Sequence, residues 1–408
     1  MVARVCLVSG GTGGHLMPAL VLARALRARG DASLLVTEGR AVERDLLAQC
    51  EADAMTAGDG DPGRAGDAIE VASLPAGTPS RLGLPLWLWR ATVAARRLLR
   101  QHRVDCVVST GGRASLPVGL AARSLRLPLF LLEQNAVTGR VNRLLAPFAT
   151  RTWLGLPGPL PESARALRTG TPLRAELYAT DREAARRELD LAPEVPVLLI
   201  TGGSQGAQRL NELAPDAVAL LPGPLQVVHL CGRGPVALPA RDEALRRRYA
   251  QMPHVTRAIV QPLSGAMARL LAAADLVLCR GGGTTMAELC AVGRPAVVVP
   301  YPHHKDRQQL RNAEVLAAAG AVMVVEERDL DARRLAAVVG DVLGDPRLLA
   351  AMAGAARRLC SVDPVATILA DMHAHLPDKA TDSATSPAPG SSGAAAANAV
   401  PRQRSAAS

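Results

Sequence analysis

Four short segments have a composition suited to phosphate chemistry: Gly10 to His15, Thr110 to Arg113, Gly202 to Ala207 and Gly281 to Thr285. Each follows an apolar run and opens an amphipathic stretch, the order of a strand, a tight turn and a helix. Such a turn aims unpaired backbone amides and the positive end of a helix dipole at the space before it, which suits a phosphate. Taken singly, each has a plainer alternative, a strand-to-helix connection that needs glycine for its backbone. Four of them, two in each half of the chain, point to one shared site. None is an ATPase phosphate loop, because GxxxxGK[ST] is absent. GxGxxG followed by an acid about twenty residues on is absent too, so redox and kinase chemistry lose support.

The elements that must position these turns repeat. Val5 to Leu16 reads VCLVSGGTGGHL, and Val197 to Leu210 reads VLLITGGSQGAQRL. Further strand candidates are Cys106 to Thr110, Leu129 to Leu132, Leu225 to Cys231, Leu276 to Cys279 and Ala296 to Pro300, separated by alanine- and arginine-rich stretches. This alternation predicts an α/β protein of two Rossmann-like, doubly wound domains, with ligand beyond the carboxyl ends of the strands in a central cleft. We place the first domain at 1–173 and the second at 174–354, after the turn Gly170-Thr171-Pro172. A closing helix over Ser361 to Leu376, within 355–376, belongs with the first domain. The Ala-, Ser-, Pro- and Gly-rich 377–408 reads as a disordered tail.

Composition narrows the partners. A chain of 408 residues exceeds what one core usually supports, and a net charge of +10 attracts phosphates of any origin. Aromatic residues make up 2% of the chain, against the stacking surfaces that single-stranded nucleic acid requires, so nucleic acid is not expected. The seven cysteines show no CxxC pair and read as free thiols in a reducing compartment. The apolar run after Arg4 is too short for a signal peptide, and no stretch approaches the roughly 18 residues of a membrane span. The expectation is a cytoplasmic protein that can touch a membrane surface.

Six segments in order, GGTGGHLMPAL, STGGRASLP, LLEQNAVTGRVNRLL, GTPLR, TGGSQGAQRLN and CRGGGTTMAELCAVGRPAVVVPYPHHKDRQQLRNAEVL, resemble the MurG family, the N-acetylglucosaminyltransferases of bacterial peptidoglycan synthesis. The resemblance runs from about Val5 to about Leu376. It implies the glycosyltransferase-B fold, with acceptor on the first domain and donor on the second. The implied reaction is inverting transfer of N-acetylglucosamine from UDP-N-acetylglucosamine to the C4 hydroxyl of undecaprenyl-diphosphate-linked N-acetylmuramyl pentapeptide. It implies no cofactor and no metal. The implied location is the cytoplasmic face of the inner membrane, peripherally bound to anionic lipid, with cell-wall synthesis proteins as partners.

Carried over motif by motif, the resemblance gives the donor diphosphate to Ser204 and the amides of Gly202 to Ala207, with Arg174 as a fixed charge beside the leaving group. Preorganised donors of this kind stabilise developing charge more than the ground state. Thr12, Gly13, Gly14 and Asn135 meet the donor from the first domain. Gly283, Thr284, Thr285, Met286, Ala287 and Glu288 line it in the second, where Glu288 accepts the ribose hydroxyls or, alternatively, is a favourable first-turn acid. Ile259 contacts uracil through its backbone, and Gln308 and Gln309 bind the sugar hydroxyls. Gly13, Gly14, His15, Gly111, Gly112 and Arg113 face the acceptor. Histidine titrates near neutrality, which makes His15 the candidate general base; its alternative is a hydrogen-bond donor, since a helix N-terminus disfavours imidazolium. The strings Asp59-Gly60-Asp61 and Asp329-Leu330-Asp331 read as a loop and a helix start capped by Asp329.

Arg113, Leu132, Thr171 and Gly283 depart from the family's tyrosine, histidine, asparagine and alanine. Between Ser80 and Val104 there is no acid but six arginines with Trp87 and Trp89. A helix there puts Trp87, Ala91, Ala94 and Leu98 on an apolar face and Trp89 among arginines, which fits either a lipid headgroup region or a solvated basic face. Two rivals stand beside the transferase: a galactosyltransferase acting on diacylglycerol, and a catalytically inert binding module.

Overall fold

The computed structural model describes residues 3–10, 13–40, 43–44, 47–48, 69–74, 83–158, 160–234, 241–360 and 363–376. The tail, Thr12 and the Asp59-Gly60-Asp61 string lie outside them. The first half runs β1 (Arg4–Val8), α1 (Gly13–Ala28), β2 (Ala32–Thr37), β3 (Glu70–Ser73), α2 (Leu84–Gln101), β4 (Cys106–Ser109), α3 (Ser115–Leu125), β5 (Leu129–Glu133), α4 (Arg140–Leu145), β6 (Arg151–Leu154) and β7 (Ala166–Arg168). The second runs α5 (Arg182–Glu188), β8 (Val197–Thr201), α6 (Gln208–Val218), β9 (Leu225–Leu230), α7 (Arg241–Ala250), β10 (Val255–Gln261), α8 (Met267–Ala273), β11 (Leu276–Cys279), α9 (Gly283–Val292), β12 (Ala296–Val298), α10 (Gln308–Ala318), β13 (Val322–Val324), α11 (Ala332–Leu343), α12 (Pro346–Leu359) and α13 (Pro364–Ala374).

Their strands form two sheets, in the orders β3-β2-β1-β4-β5-β6-β7 and β10-β9-β8-β11-β12-β13. Every ladder between named strands is parallel. Helices cover both faces of a parallel sheet, so its central strands carry unbroken apolar runs rather than alternation. Val197–Thr201 is buried throughout, as are four of the five residues of β1. Both sheets fall within one compact unit.

The closing segment departs from expectation. Residues 355–359 finish α12, which packs on α9, and the last helix starts at Pro364. Proline is well placed in a first turn, and the side chain of Asp363 caps the helix by accepting from the Ala366 amide at 2.9 Å. α13 then docks on the first half. Asp371 receives Arg151 Nη2 at 2.9 Å and Trp153 Nε1 at 2.8 Å, and His373 meets Asp31 at 3.1 Å. In the Asp329-Leu330-Asp331 string, the cap is Asp331, which accepts from the Arg334 amide; Asp329 ends a short 3-10 turn.

Helix starts differ in how they are capped. α5, α11, α12 and α13 are each capped by an aspartate. Among the described residues, α3, α6 and α9, which follow glycine turns, have no side-chain cap; the Ser115 and Leu116 amides of α3 return to the Gly112 and Arg113 carbonyls, whereas the first-turn amides of α6 and α9 make no such bond.

Candidate functional site

In the first half the turns after β1 and β4 interlock. The Gly10 amide donates to the Gly111 carbonyl at 3.1 Å, and Gly112, at φ +88°, lies so close that a β-carbon there would enter the Gly10 carbonyl. Gly111, at φ +102°, leaves room for the His15 ring, which a β-carbon would approach to 2.8 Å. His15 Nδ1 lies 2.8 Å from the Thr110 carbonyl. A carbonyl can only accept, so Nδ1 holds the proton and neutral His15 keeps its lone pair on Nε2, which no hydrogen bond occupies among the described residues. Gln134 Nε2 donates to the same carbonyl at 2.7 Å, tying the end of β5 to the histidine.

A buried carboxylate organises the turn after β5. Glu133 accepts from Asn135 Nδ2 at 2.9 Å, the Gly139 amide at 2.8 Å and Asn142 Nδ2 at 2.9 Å. Arg113 is already partnered: its Nη2 meets Glu38 at 3.0 Å, Arg40 joins the same carboxylate at 2.6 Å, and its guanidinium lies over the Trp87 ring. Two arginines on one acid leave a net positive cluster. Among the described residues, Arg113 Nε and Trp87 Nε1 are buried with no hydrogen-bond partner.

The second half arranges its glycines differently. The turn after β8 leans on the turn after β9: Ser204 and Gln205 carbonyls accept from the Arg233 and Gly234 amides, and Gly206 packs on Cys231. Gly203, at φ +79°, faces open space. No hydrogen bond among the described residues joins this turn to Gly281–Thr285 after β11. Arg174 donates to the Gly265 carbonyl at 2.7 Å. Burial pushes the Glu288 carboxyl up, against the pull of the Arg174 charge, to about 7. Glu288 accepts no hydrogen bond from the described residues. Gln309 Oε1 accepts from the Tyr301 main-chain amide at 3.0 Å, leaving its own side-chain nitrogen, while the Gln308 main-chain amide donates to Asp306 Oδ1 at 3.3 Å.

Three second-half assignments change. Met286 and Ala287 are buried in the core, so they can offer a ligand main chain but no side chain. Ile259 pairs with Val228 inside β10. Main-chain groups alternate along a strand, and Val260 turns its carbonyl outward to Arg246 while that of Gln261 faces β9, so Ile259 faces the ladder. The turn that ends at Gly265 follows the carboxyl end of β10, the end at which open parallel sheets bind ligands.

The two halves meet across a seam. Pro18 lies inside α1 and has no N–H, so the Gly14 carbonyl lacks its helical partner; the Thr284 hydroxyl donates to it at 2.9 Å. Gly283 rests on the Gln134 carbonyl, where a β-carbon would not fit. Asn312, fully buried on α10, bonds the Ala136 amide at 2.8 Å and Asn135 Oδ1 at 3.0 Å.

The glycosyltransferase family 28 N-terminal domain matches residues 5–154, and the family 28 C-terminal domain matches residues 197–365. A Stutzerimonas stutzeri protein named UDP-N-acetylglucosamine–N-acetylmuramyl-(pentapeptide) pyrophosphoryl-undecaprenol N-acetylglucosamine transferase is 38% identical over 373 residues, 90% of this chain and 98% of that protein. Its namesake from Pseudomonas syringae pv. tomato is 39% identical with the same coverage. The crystal structure of Acinetobacter baumannii MurG matches with a TM-score of 0.72 and 29% identity, covering 91% of this chain and 99% of that one. The chain belongs to the MurG family of glycosyltransferases.

Within the MurG family pattern the departures fall into two groups. Leu132 is fully buried in β5 and offers no side chain to a ligand, and the Thr171 hydroxyl is buried with no hydrogen-bond partner among the described residues. Arg113 and Gly283 lie in the glycine turns of the candidate site, the first held by Glu38 and the second against the Gln134 carbonyl. Residues that motif reading passed over are Glu133, Gln134, Asn142, Arg280 and Asn312. Glu133 had a signal, an acid ending the apolar run LFLLE. Arg280 also follows an apolar strand; it donates to the Val299 and Pro300 carbonyls at 3.0 and 3.3 Å and so holds the turn that leads to Gln309.

Proposed function

We propose that this chain transfers N-acetylglucosamine, with inversion, from UDP-N-acetylglucosamine to the C4 hydroxyl of undecaprenyl-diphosphate-linked N-acetylmuramyl pentapeptide. The observation that carries the proposal is a histidine with Nδ1 committed to a carbonyl and Nε2 unoccupied, on a helix whose first turn bonds to the uncapped start of α9. In this scheme the acceptor C4 oxygen attacks the sugar C1 as the bond to the UDP oxygen breaks. The hydroxyl proton passes to His15 Nε2, and the electron pair leaves on the diphosphate. Ser204, the amides of Gly202 to Ala207 and Arg174 receive that charge, and Glu288 accepts the ribose hydroxyls. Gly13 and Gly14 abut the donor sugar, Asn135, Gln308 and Gln309 contact its hydroxyls, and Gly111, Gly112 and the Arg113–Arg40 cluster face the acceptor. Uracil falls to the turn beyond β10. Transfer of labelled N-acetylglucosamine to a lipid-linked muramyl pentapeptide analogue tests the scheme. Absence of product with that acceptor, but turnover on a diacylglycerol, would assign the chain to a different lipid.

We infer as well that the first half binds an anionic membrane surface. No helix among the described residues is long and apolar enough to cross a membrane. α2 buries Ala91 as expected, with Ala95 and Leu99 in place of Ala94 and Leu98, and exposes Leu84, Leu86 and Trp89 beside Arg90, Arg97 and Arg100. α3 and α4 pack alongside, with Leu144 and Phe148 exposed. Apolar side chains ringed by arginine suit a headgroup layer, and a lipid-anchored acceptor would be met there.

A further inference from the structure

We propose that Asn312 is a positioning residue for the transfer, one whose buried carboxamide holds Asn135 and Ala136 of the first half on the Gly281 turn of the second. The role rests on the transfer reaction described above. Asn312 Oδ1 accepts from the Ala136 amide at 2.8 Å, and its Nδ2 donates to Asn135 Oδ1 and to the Gly281 carbonyl, both at 3.0 Å. Both N–H groups and the oxygen are used, and the side chain is fully buried.

The direction of this chain of bonds is fixed at both ends. Asn135 donates through Nδ2 to the Glu133 carboxylate, which can only accept, so its oxygen must face Asn312. At the other end the Gly281 carbonyl can only accept, so Asn312 must present its nitrogen there. A flipped amide at either asparagine would set acceptor against acceptor.

Continuity toward the base gives the arrangement its consequence. Gln134, beside Asn135, bonds the Thr110 carbonyl that orients His15, and Gly281 opens the turn into α9, which carries Glu288. Asn312 therefore sets the spacing between the proton acceptor on one half and the donor on the other. Misplacement of reacting groups by about 1 Å can cost about 100-fold in rate. Thr284 on the Gly14 carbonyl and Gly283 on the Gln134 carbonyl share the seam, and neither makes a hydrogen bond to a side chain of the first half among the described residues.

Asn312→Asp and Asn312→Ala test the role, with UDP affinity by calorimetry and transfer kinetics measured on each full-length variant. Aspartate keeps the acceptor for Ala136 but places an oxygen against two oxygens. Expected is a kcat lowered about 10- to 100-fold in both variants, with UDP affinity within about twofold, since UDP would sit on the second half. In Asn312→Asp alone, kcat relative to the wild type should recover as pH falls, because a protonated acid can donate to Asn135 again. If alanine prevents folding, the isosteric aspartate variant decides alone. A variant as fast as an active wild type, or one that loses UDP affinity in step with kcat, overturns the positioning role. Wild-type protein that transfers nothing overturns the reaction beneath it.

Discussion

Both sheets offer a crevice where the strand order turns back, between β1 and β4 in the first and between β8 and β11 in the second, yet their glycine turns treat the two differently. In the first, the turns after β1 and β4 bond to each other and Gly112 is pressed on Gly10, so the crevice is filled by backbone and by the His15 ring. In the second, the turn after β8 leans away toward β9, and the turn after β11 leans toward the other half. The switch point of an open parallel sheet is where ligands bind. One repeated motif thus yields a crevice filled by backbone and a histidine ring, and a second that no hydrogen bond spans among the described residues; the proposed scheme gives the base to the first and the diphosphate to the second. Similar glycine content says little about which strand a turn will lean on.

Substitutions can break this contrast. The largest effect is expected from His15→Gln, which keeps a hydrogen-bonding side chain but no base: kcat should fall about 100- to 10,000-fold, while UDP affinity by calorimetry stays unchanged. A loss of UDP affinity instead would move His15 to the donor crevice.

Glu288→Gln probes the second crevice. Donor affinity should drop about tenfold or more, as expected when a charged hydrogen-bond acceptor is lost. Burial raises the Glu288 carboxyl to about 7, so its ionisation destabilises the fold, a cost that is absent below the ordinary carboxylate range and fully developed above pH 7. The variant should therefore gain thermal stability over wild type at pH 8 and little at pH 4.5, read by paired melting curves. Wild-type UDP affinity should tighten as pH rises through about 7, with a flatter profile in the variant.

A smaller change belongs to the rim of the first crevice. Arg113→Ala should raise the acceptor KM several-fold, in line with loss of a charge-assisted contact, and leave the donor KM alone; an unchanged acceptor KM removes Arg113 from the acceptor site. Smallest of all, Trp89→Ala should weaken pelleting with anionic vesicles about two- to threefold at low salt, without altering kcat on a soluble acceptor analogue. Wild-type protein that fails to pellet would discard the membrane surface.

Much of this was legible in the chain. Unbroken apolar runs announced parallel strands, because a sheet covered on both faces has no polar side to encode, and glycines after those runs marked the turns. Helix boundaries were less legible: Asp363 and Pro364, not the apolar pattern, set the start of α13. Ile259 misled because a position in a motif does not reveal which way an edge-strand carbonyl points.

What the sequence alone determined is the kind of site: strand, glycine turn and helix, twice over, with a histidine at the first turn and an acid after the last. Local spacing suffices for that, since each motif is built from neighbours along the chain. Only the tertiary structure decided which crevice backbone fills, that Arg113 is held by Glu38, and that Asn312 bonds a backbone amide 176 residues away. Those outcomes depend on partners brought together by packing two sheets, and a hydrogen bond of about 3 Å leaves no periodicity in a sequence to announce it.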